Sequence, residues 1–380
     1  MKRWKVVHLT SVHSPFDHRI LHKECRSLAR AGFDVTIIGP YTKDMLKDQV
    51  HIKSVQPQPS RVKRMTGTAW RIYKEAQQQA ADVYHFHDPE LIPVGLLLRG
   101  RGKRVIYDIH EDIPRELLSK YYLPMWSRRL VAWTVEGIEN FACGHFSALV
   151  ATTPTIANRF RFINRRTVVV RNYPYPEEII SAQPESSWDS RRQSVAYVGG
   201  ITIERGILQM VEAMALMPES ITGTLELVGN EVPWFAGPEK LYSHPGWARV
   251  HHHGILEQPK VFSLLHNVRA GLAVLHPTPN FRDSIPVKFF EYMGAGIPII
   301  ASDFPAWRRI LEDSGCALFV DPMNPQAIAS AIEFILTHPA EAEAMGRRGR
   351  EAMRNRYNWE TEATTLLNLY SGLREPSCVA

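Results

Sequence analysis

The sequence has few cysteines, no long apolar run and no glycine-rich dinucleotide fingerprint. Its four cysteines, Cys25, Cys143, Cys316 and Cys378, are widely separated and form no CxxC pair, which argues against a zinc cluster and is typical of a reducing compartment. The apolar run in the first residues, MKRWKVVHLTS, is too short for a signal peptide or a membrane span. The motif GxGxxG is absent, which disfavours nicotinamide or flavin binding. We therefore expect a cytoplasmic protein.

The composition is that of a globular chain with two cores. The length of 380 residues is large for one α/β domain, and 44% hydrophobic and 22% charged residues leave no sign of a long disordered tail. A net charge of +6 favours anionic partners such as nucleotides, nucleic acid or an anionic membrane face. The basic residues are dispersed and no RNA-binding signature is present, so we do not expect a nucleic-acid partner.

Strand-like and helix-like segments alternate along the chain, beginning with KVVHLT, the helical LHKECRSLARAG and DVTIIG. This pattern predicts two doubly wound, Rossmann-like parallel sheets, whose strand ends would share one cleft. We place the first domain at residues 1–175, a proline- and serine-rich linker at 176–190 and the second domain at 191–358. The last helix, within residues 359–380, is expected to pack back onto the first domain.

The stretch DSIPVKFFE, from Asp283 to Glu291, predicts a helix that starts at Pro286. The amides at such a start suit a phosphate. Lys288 and Glu291 are three residues apart, so both can act on one ligand, the ammonium on a phosphate and the carboxylate on two hydroxyls. The alternative is a solvated ion pair on the surface of an amphipathic helix.

A second anion-binding candidate follows the first strand of the second domain. Gly199 and Gly200 end the run SVAYVGG, where a backbone without side chains can approach a ligand closely. Arg205 then opens the next helix and can hold a diphosphate through two hydrogen bonds. The alternative is an ordinary turn with a surface arginine.

Histidines and carboxylates gather at two strand ends of the first domain. His85, His87 and Asp88 end one strand, and His110 follows the neighbouring one. Such groups serve acid–base chemistry or metal binding, so a metal-dependent hydrolase is one interpretation. Structural hydrogen bonding is the other.

Two basic-aromatic stretches lie in the first domain: SKYYLPMWSRRLVAWTVEGIENF, from Ser119, and RVKRMTGTAWRIYK, from Arg61. Segments of this kind can lie on an anionic membrane surface. They can equally be helices with one core face and one solvated face. Peripheral membrane contact is therefore one of the expectations.

With these motifs in place, the chain resembles the retaining glycosyltransferases of family 4, which have the two-domain GT-B fold. The resemblance is carried by FRDSIPVKFFEYMGAGIPIIASD, by YVGGITIERGI, LVGN and HHGI, and by the amino-terminal LTSVHSPFDHRILHKECRSLARAGFDVTIIG. It implies transfer of a sugar from a nucleoside-diphosphate sugar to a saccharide or lipid-linked acceptor, as in cell-surface polysaccharide or glycolipid synthesis. It also implies that no metal or other cofactor is needed.

The resemblance assigns roles to individual residues. Glu291 would bind the ribose, Asp283 the donor sugar and Arg205 the departing diphosphate, while His110 would lie near the reacting carbon. The implied donor-binding set is Gly199, Gly200, Arg205, Asn230, Leu256, Asp283, Ser284, Ile285, Lys288 and Glu291. The candidate acceptor-binding residues are strand-end residues of the first domain: Asp17, Arg19, His87 and Glu111.

The sequence departs from the family pattern at two positions. Gly200 stands where the family usually has an arginine, so one phosphate charge is unaccounted for unless Lys288 supplies it. Asp283 stands where a glutamate is commoner and is one methylene shorter. A silent subunit that binds a nucleotide sugar or a membrane therefore stays an alternative to a working enzyme.

Overall fold

The computed structural model describes residues 3–58, 60, 63–118, 124–180, 187–231 and 238–374. Arg61, Lys120, Tyr121, Tyr122 and Cys378, singled out in the sequence, lie outside these ranges. The chain divides into a first unit, residues 1–172 and 359–380, and a second unit, residues 173–358.

The described sheet of the first unit has eight strands in the order β3-β4-β2-β1-β5-β6-β7-β8. Neighbouring strands are parallel except β3 and β4, which form an antiparallel pair at one edge. The strands are β1 Lys5–Leu9, β2 Asp34–Pro40, β3 Met45–Lys47, β4 Val50–Val55, β5 Val83–Phe86, β6 Arg104–Ile109, β7 Ala148–Ala151 and β8 Thr167–Val169.

The helical segments of the first unit connect these strands, and the last one comes from the end of the chain. They are Ile20–Cys25 (π), Arg26–Arg30, Arg64–Thr68 (π), Ala69–Gln79, Pro89–Leu91 (3₁₀), Ile92–Gly100, Ile113–Leu117, Met125–His145, Pro154–Phe160 and Trp359–Arg374. The indole of Trp359 is buried and donates a hydrogen bond to Ser27 Oγ at 2.8 Å. Residues 359–374 are thus part of the first core.

The described sheet of the second unit has six parallel strands in the order β11-β10-β9-β12-β13-β14. These strands are β9 Ser194–Val198, β10 Thr224–Val228, β11 Val250–Gly254, β12 Ala270–Ala273, β13 Ile299–Ser302 and β14 Ala317–Val320. Its helical segments are Pro176–Ile180, Trp188–Ser190 (3₁₀), Ile203–Arg205 (3₁₀), Ile207–Ala215, Pro238–Tyr242, Pro245–Arg249 (3₁₀), Gln258–Leu265, Pro279–Asp283, Lys288–Ala295, Pro305–Ser314, Pro325–Thr337 and Pro339–Asn355.

Local sequence signals explain where many elements begin and end. Several helices start at a proline, which lacks the amide proton that a first helical residue does not need. Helices Lys288–Ala295 and Pro305–Ser314 end at Gly296 and Gly315, whose φ angles of 67° and 58° favour glycine. The predicted doubly wound parallel sheets are confirmed in both units.

Two features differ from the sequence-based expectation. The segment predicted as a linker, 176–190, contributes buried Ile179 and Trp188 to the second core where it is described. The short hairpin of β3 and β4 was not predicted. Among the described residues, no helix combines the length and the apolar character needed to span a bilayer.

Candidate functional site

In the second unit, the main chain at Gly199 lies next to two basic side chains, Arg205 and Lys288. Gly199 follows β9 with a φ of 146°, and a Cβ there would lie 2.9 Å from Arg205 Nη1 and 3.3 Å from Lys288 Nζ. Gly229 follows β10, and a Cβ on it would lie 1.9 Å from the Gly199 carbonyl oxygen. Only glycine fits at these two places, so the two cations approach main chain directly.

The ammonium of Lys288 is enclosed although its side chain is partly exposed. It lies 3.9 Å from the ring centroid of Tyr197, and among the described residues it has no hydrogen-bond acceptor. Burial, followed by the nearby charge of Arg205, lowers the pKa of Lys288 from 10.5 to about 7. Two basic groups thus lie close together with no hydrogen-bonded carboxylate from the described residues, an arrangement that a bound anion would stabilise.

Arg205 is held in place by its own turn. Thr202 Oγ1 accepts a hydrogen bond from the Arg205 amide at 3.2 Å, and Gly206 turns the chain into the next helix with a φ of 72°. A Cβ on Gly206 would lie 1.9 Å from the Val274 carbonyl oxygen, so this turn packs tightly against the chain after β12. The Arg205 side chain also interacts with Tyr197, which faces Lys288.

The segment from Asp283 leads into the helix that carries Lys288 and Glu291. The regular helix begins at Lys288 rather than at Pro286, and the Pro286 carbonyl accepts the Phe289 amide at 3.1 Å in the preceding turn. Asp283 and Ser284 are exposed, and Trp307 Nε1 donates to the Ser284 carbonyl at 2.7 Å, which fixes the backbone there. Glu291 is close enough to Lys288 to oppose the lowering of its pKa.

The remaining predicted donor-binding residues follow β9, β10 and β11. The Asn230 carbonyl accepts the Ile201 amide at 2.9 Å, next to Gly200, and the Gly254 carbonyl accepts the Gly229 amide at 2.8 Å. Leu256, two residues after Gly254, is partly exposed. The structure therefore places these residues at the carboxyl ends of neighbouring parallel strands, where ligands of such sheets bind.

The first unit contains a buried carboxylate, Asp108 on β6, that connects several polar side chains. Arg19 binds it with two hydrogen bonds of 2.9 Å, His87 Nδ1 contacts it at 3.1 Å and His110 Nε2 at 2.7 Å. Burial would raise the pKa of Asp108, but the charge of Arg19 and the bonds from His110 and His87 outweigh it and hold that pKa well below its usual range. Asp108 is therefore an anion.

An ionised Asp108 fixes the protons of the neighbouring rings. His87 donates from Nδ1 to Asp108 and so accepts at Nε2 from His8 Nδ1, 2.9 Å away. His8 Nε2 then accepts from the Tyr370 hydroxyl at 3.4 Å, and that hydroxyl accepts from His85 Nδ1 at 2.9 Å. Burial, then the neighbouring imidazoles, lower the pKa of His8 and His85, which makes a chain of neutral rings.

Glu24 lies beside this chain and is fully buried. Burial, then the charge of Asp108, raise its pKa well above the usual range, while the charge of Arg19 opposes that rise. Its Oε1 lies 3.0 Å from Arg19 Nε, so Arg19 contacts both buried carboxyls. Its nearest histidine nitrogens are His85 Nδ1 at 3.8 Å and His8 Nδ1 at 4.0 Å.

These contacts decide what the predicted acceptor-binding residues can do. Arg19 and His87 are buried, with 3% and 2% exposure, and are engaged by Asp108, so they position other groups rather than contact an acceptor. Asp17 Oδ1 accepts the Arg19 and Ile20 amides at 2.8 and 3.1 Å and thereby caps the first helical segment. Of the four, Asp17 is partly exposed and Glu111 is exposed.

His110 is partly exposed and well placed to act on a ligand. Its Nε2–H donates to Asp108, so in the neutral ring Nδ1 carries the lone pair. The sequence pointed to His110 but missed Asp108, which sits two residues earlier inside an apolar strand. A carboxylate within the buried run RVIYDI was the signal that could have found it.

The hydrolase interpretation requires an accessible metal. Within the described part of the chain, two groups of side chains bring metal-ligand atoms within 4.8 Å of one another: His8, Glu24, His85 and His87, and His87, Asp108 and His110. The members of the first group are at most 2% exposed, whereas a catalytic metal needs an open position that substrate can reach. In the second group Arg19 already occupies both oxygens of Asp108. Asp88 is likewise engaged by His13 and Thr10. The geometry therefore does not support a metal hydrolase.

Two family models match the chain, one in each unit. The model described as Glycosyltransferase Family 4 matches residues 18–173, and the model described as Glycosyl transferase-like matches residues 205–368.

Curated relatives and solved structures agree with these matches. D-rhamnosyltransferase WbpZ of Pseudomonas aeruginosa is 24% identical over 308 residues, covering 76% of this chain and 74% of that protein. Glycogen synthase of Mycobacterium tuberculosis is 24% identical over 187 residues, or 47% of this chain and 44% of the synthase, so the chain matches less than half the length of that relative.

The solved structures show the fold. Sucrose-phosphate synthase from Thermosynechococcus elongatus superposes with a TM-score of 0.74 at 19% identity, covering 98% of this chain and 99% of that one. HepE from Anabaena, in complex with UDP-glucose, superposes with a TM-score of 0.71 at 13% identity, covering 97% and 99%. The chain therefore has the GT-B fold and is similar to glycosyltransferases in both units, with its amino-terminal unit matching the model described as Glycosyltransferase Family 4.

Proposed function

We propose that this protein is a retaining glycosyltransferase that uses a nucleoside-diphosphate sugar and acts on a saccharide or lipid-linked acceptor. The observation that carries the proposal is the enclosed Lys288 ammonium beside Arg205 and the Gly199 backbone, which has no hydrogen-bond acceptor among the described residues. A diphosphate supplies the missing negative charge. The name of WbpZ, a D-rhamnosyltransferase, supports transfer of a sugar, and the UDP-glucose bound to HepE supports a sugar nucleotide as the donor.

Lys288 takes the place of the arginine that the family has at Gly200. Lys288 Nζ lies beside the Gly199 backbone. It thereby supplies the positive charge that an arginine at residue 200 would carry, and Arg205 supplies the second positive charge. Glu291, one turn further along the helix, then binds the ribose hydroxyls. Asp283 is exposed at the start of the segment and contacts the donor sugar.

The chemistry follows from where charge develops. As the bond between sugar and diphosphate breaks, negative charge grows on the leaving phosphate, and Lys288, Arg205 and the amides at the helix start stabilise it. The acceptor hydroxyl attacks from the face that the diphosphate leaves, and the departing phosphate takes its proton. We expect transfer to proceed without a divalent metal because these cations supply the charge.

The first unit contains His110 and the candidate acceptor-binding groups. Asp108 holds the His110 ring with Nδ1 as its free lone pair, and Arg19 and His87 hold Asp108. Glu111 and Asp17 are then the candidates for direct contact with the acceptor. A cell-surface polysaccharide or a glycolipid is the product class that we propose.

A thermal-shift panel of uridine, guanosine and adenosine diphosphates tests donor binding, because a ligand of the folded state raises its stability. We expect one base to give the largest shift, and the matching sugar nucleotides are then assayed for transfer. Glu291→Ala should lose the shift and the transfer, whereas Glu343→Ala, an exposed glutamate in the same unit, should keep both.

Two outcomes would contradict the proposal. If Glu291→Ala transferred sugar from every accepted sugar nucleotide at the wild-type rate, the assignment of Glu291 to the donor site would be wrong. Binding of a sugar nucleotide without transfer or donor hydrolysis by the purified chain would instead identify a silent binding subunit.

A further inference from the structure

The long helix Met125–His145 of the first unit has an apolar stripe where a surface helix normally has polar residues. Its inward side buries Ala132, Glu139, Ala142 and Cys143. The opposite side carries five large apolar side chains with 55% to 82% exposure, spaced three to five residues apart: Trp126, Leu130, Trp133, Ile138 and Phe141. Single exposed apolar residues are common, but a continuous row of this size marks an interaction surface.

The stripe continues onto the turn after helix Pro154–Phe160. Phe162 in that turn is 95% exposed. Asn164 Nδ2 donates to the carbonyls of Cys143 and Phe146, both at 2.9 Å, which holds the turn against the carboxyl end of the long helix. Phe162 therefore belongs to the same surface as the stripe.

The charges around this surface are mostly positive. Arg161, Arg165 and Arg166 are exposed in the same turn, and Arg129 is exposed beside the stripe. Glu136 and Glu139, the acidic residues of the helix, are both engaged by Arg159, at 3.5 and 2.5 Å. Within the described ranges no carboxylate pairs with the four exposed arginines, so they remain available to an anionic partner.

We propose that this surface, the stripe together with Phe162 and the four arginines, docks onto an anionic lipid bilayer. Tryptophan and phenylalanine enter the interfacial layer, and arginines beside them meet lipid phosphates and anionic headgroups. Side chains that are 82% to 95% exposed project outward, which suits a deformable bilayer better than a protein groove. A second copy of the chain is disfavoured because the same arginines would face one another.

Docking would also place the bilayer near the candidate acceptor residues of this unit. Arg159 joins Glu139 of the long helix to Asp112, with contacts of 2.5 and 3.1 Å. Asp112 is two residues after His110. The inference does not depend on the proposed donor site, since the surface lies entirely in the first unit.

Flotation of the full chain with phosphatidylcholine vesicles, with and without phosphatidylglycerol, tests the inference without any sugar nucleotide. We expect binding to the anionic vesicles only, weakened by salt. The double variant Trp126→Ser, Trp133→Ser should bind at least about tenfold more weakly, because two indole rings no longer enter the bilayer interface. Arg165→Gln with Arg166→Gln should weaken binding about fivefold for each charge.

Leu130→Ser and Leu46→Ser are a matched pair, because the two leucines are 61% and 62% exposed and Leu46 lies on the edge strand β3. Only the first should reduce binding. The inference would be overturned if the wild-type protein did not bind anionic vesicles. It would also be overturned if the tryptophan double variant bound them as tightly as the wild type. Concentration-dependent dimers that the tryptophan variant abolishes would assign the surface to a second copy instead.

Discussion

Replacing Lys288 by methionine should weaken diphosphate binding while making the free protein more stable. Methionine keeps an unbranched apolar stem against Tyr197 but removes the enclosed charge. Loss of one charge-assisted hydrogen bond of roughly 1.5–3 kcal/mol would raise the dissociation constant about 10- to 150-fold.

The stability gain has a defined pH dependence. The fall in the pKa of Lys288 from 10.5 to about 7 means that the unfolded chain binds a proton more readily than the folded one between these values. The penalty is therefore complete below pH 7 and disappears as the pH rises through 10.5. At about 1.4 kcal/mol per tenfold change in proton affinity its upper bound is roughly 4–5 kcal/mol. Because the side chain is partly exposed, we expect about 1–3 kcal/mol in chemical denaturation at pH 6 and almost none at pH 10.

Calorimetry provides a sharper readout than affinity. A bound diphosphate should restore the ordinary pKa of Lys288, so binding at pH 8 should take up about 0.9 proton, and binding at pH 6 about 0.1. The uptake is measured from the dependence of the binding enthalpy on the ionisation enthalpy of the buffer, using the nucleoside diphosphate selected by thermal shift.

The matched control is Lys240→Met, which removes an exposed lysine of the same unit and should behave as the wild type. The Lys288→Met variant should show no extra uptake at pH 8. Equal proton uptake by wild type and Lys288→Met, or equal affinity for the diphosphate, would refute a role for Lys288 in holding the anion.

Three further predictions concern Gly199, Asp108 and the buried histidines of the first unit. Gly199→Ala should lower stability by about 1–3 kcal/mol and abolish the diphosphate thermal shift, because the φ of 146° is strained for alanine and the Cβ would meet Arg205; Gly372→Ala, with no atom within 4 Å of its Cβ, should not destabilise the fold. Asp108→Asn should lower the free energy of unfolding by roughly 3–5 kcal/mol, since Arg19 loses the buried carboxylate that binds it with two hydrogen bonds. Asp44→Asn, which breaks an exposed pair with Lys53, should lower it by about 1 kcal/mol or less. Stability should fall as the pH drops below about 6.5, because His8, His85 and His87 are held neutral by lowered pKa values and the unfolded chain protonates first; a flat pH profile between 6.5 and 5 in denaturant titrations would contradict this.

The strands that the sequence predicted are those whose composition leaves little choice. Ile299–Ser302 is buried at every position, as a central parallel strand with helices on both faces must be. The hairpin of β3 and β4 was missed because its turn uses Asp48 and Gln49 with φ angles of 52° and 64°. Hairpin turns with two positive φ angles favour pairs such as Asp-Gly, and Gln49 stands where glycine is preferred, so the turn signal was incomplete.

The positions of the candidate donor-binding residues could be predicted from the sequence, since they follow strand ends and precede a helix, while their role in binding stays a prediction. What the sequence could not give was the enclosure of the Lys288 ammonium, which depends on Tyr197 and Arg205 from elsewhere in the chain. In the first unit, Arg19 was a candidate binding residue because it follows the end of the first strand. Its partner Asp108 is 89 residues away, and pairing over that distance is a property of the fold.

The helix Trp359–Arg374 has a consequence for how the chain folds. It completes the core of the first unit, which begins at β1. The Tyr370 hydroxyl hydrogen-bonds His8 and His85. Glu362 accepts a hydrogen bond from the Arg171 amide at 2.7 Å. During synthesis the first unit therefore emerges first but lacks these partners until the whole second unit has left the ribosome. Until then His85 has no hydrogen bond to the Tyr370 hydroxyl, and the side chains that bury Trp359 are exposed. The amino-terminal half should accordingly depend on chaperones or on late docking of its last helix, and the second unit, continuous in sequence, should reach its native state first.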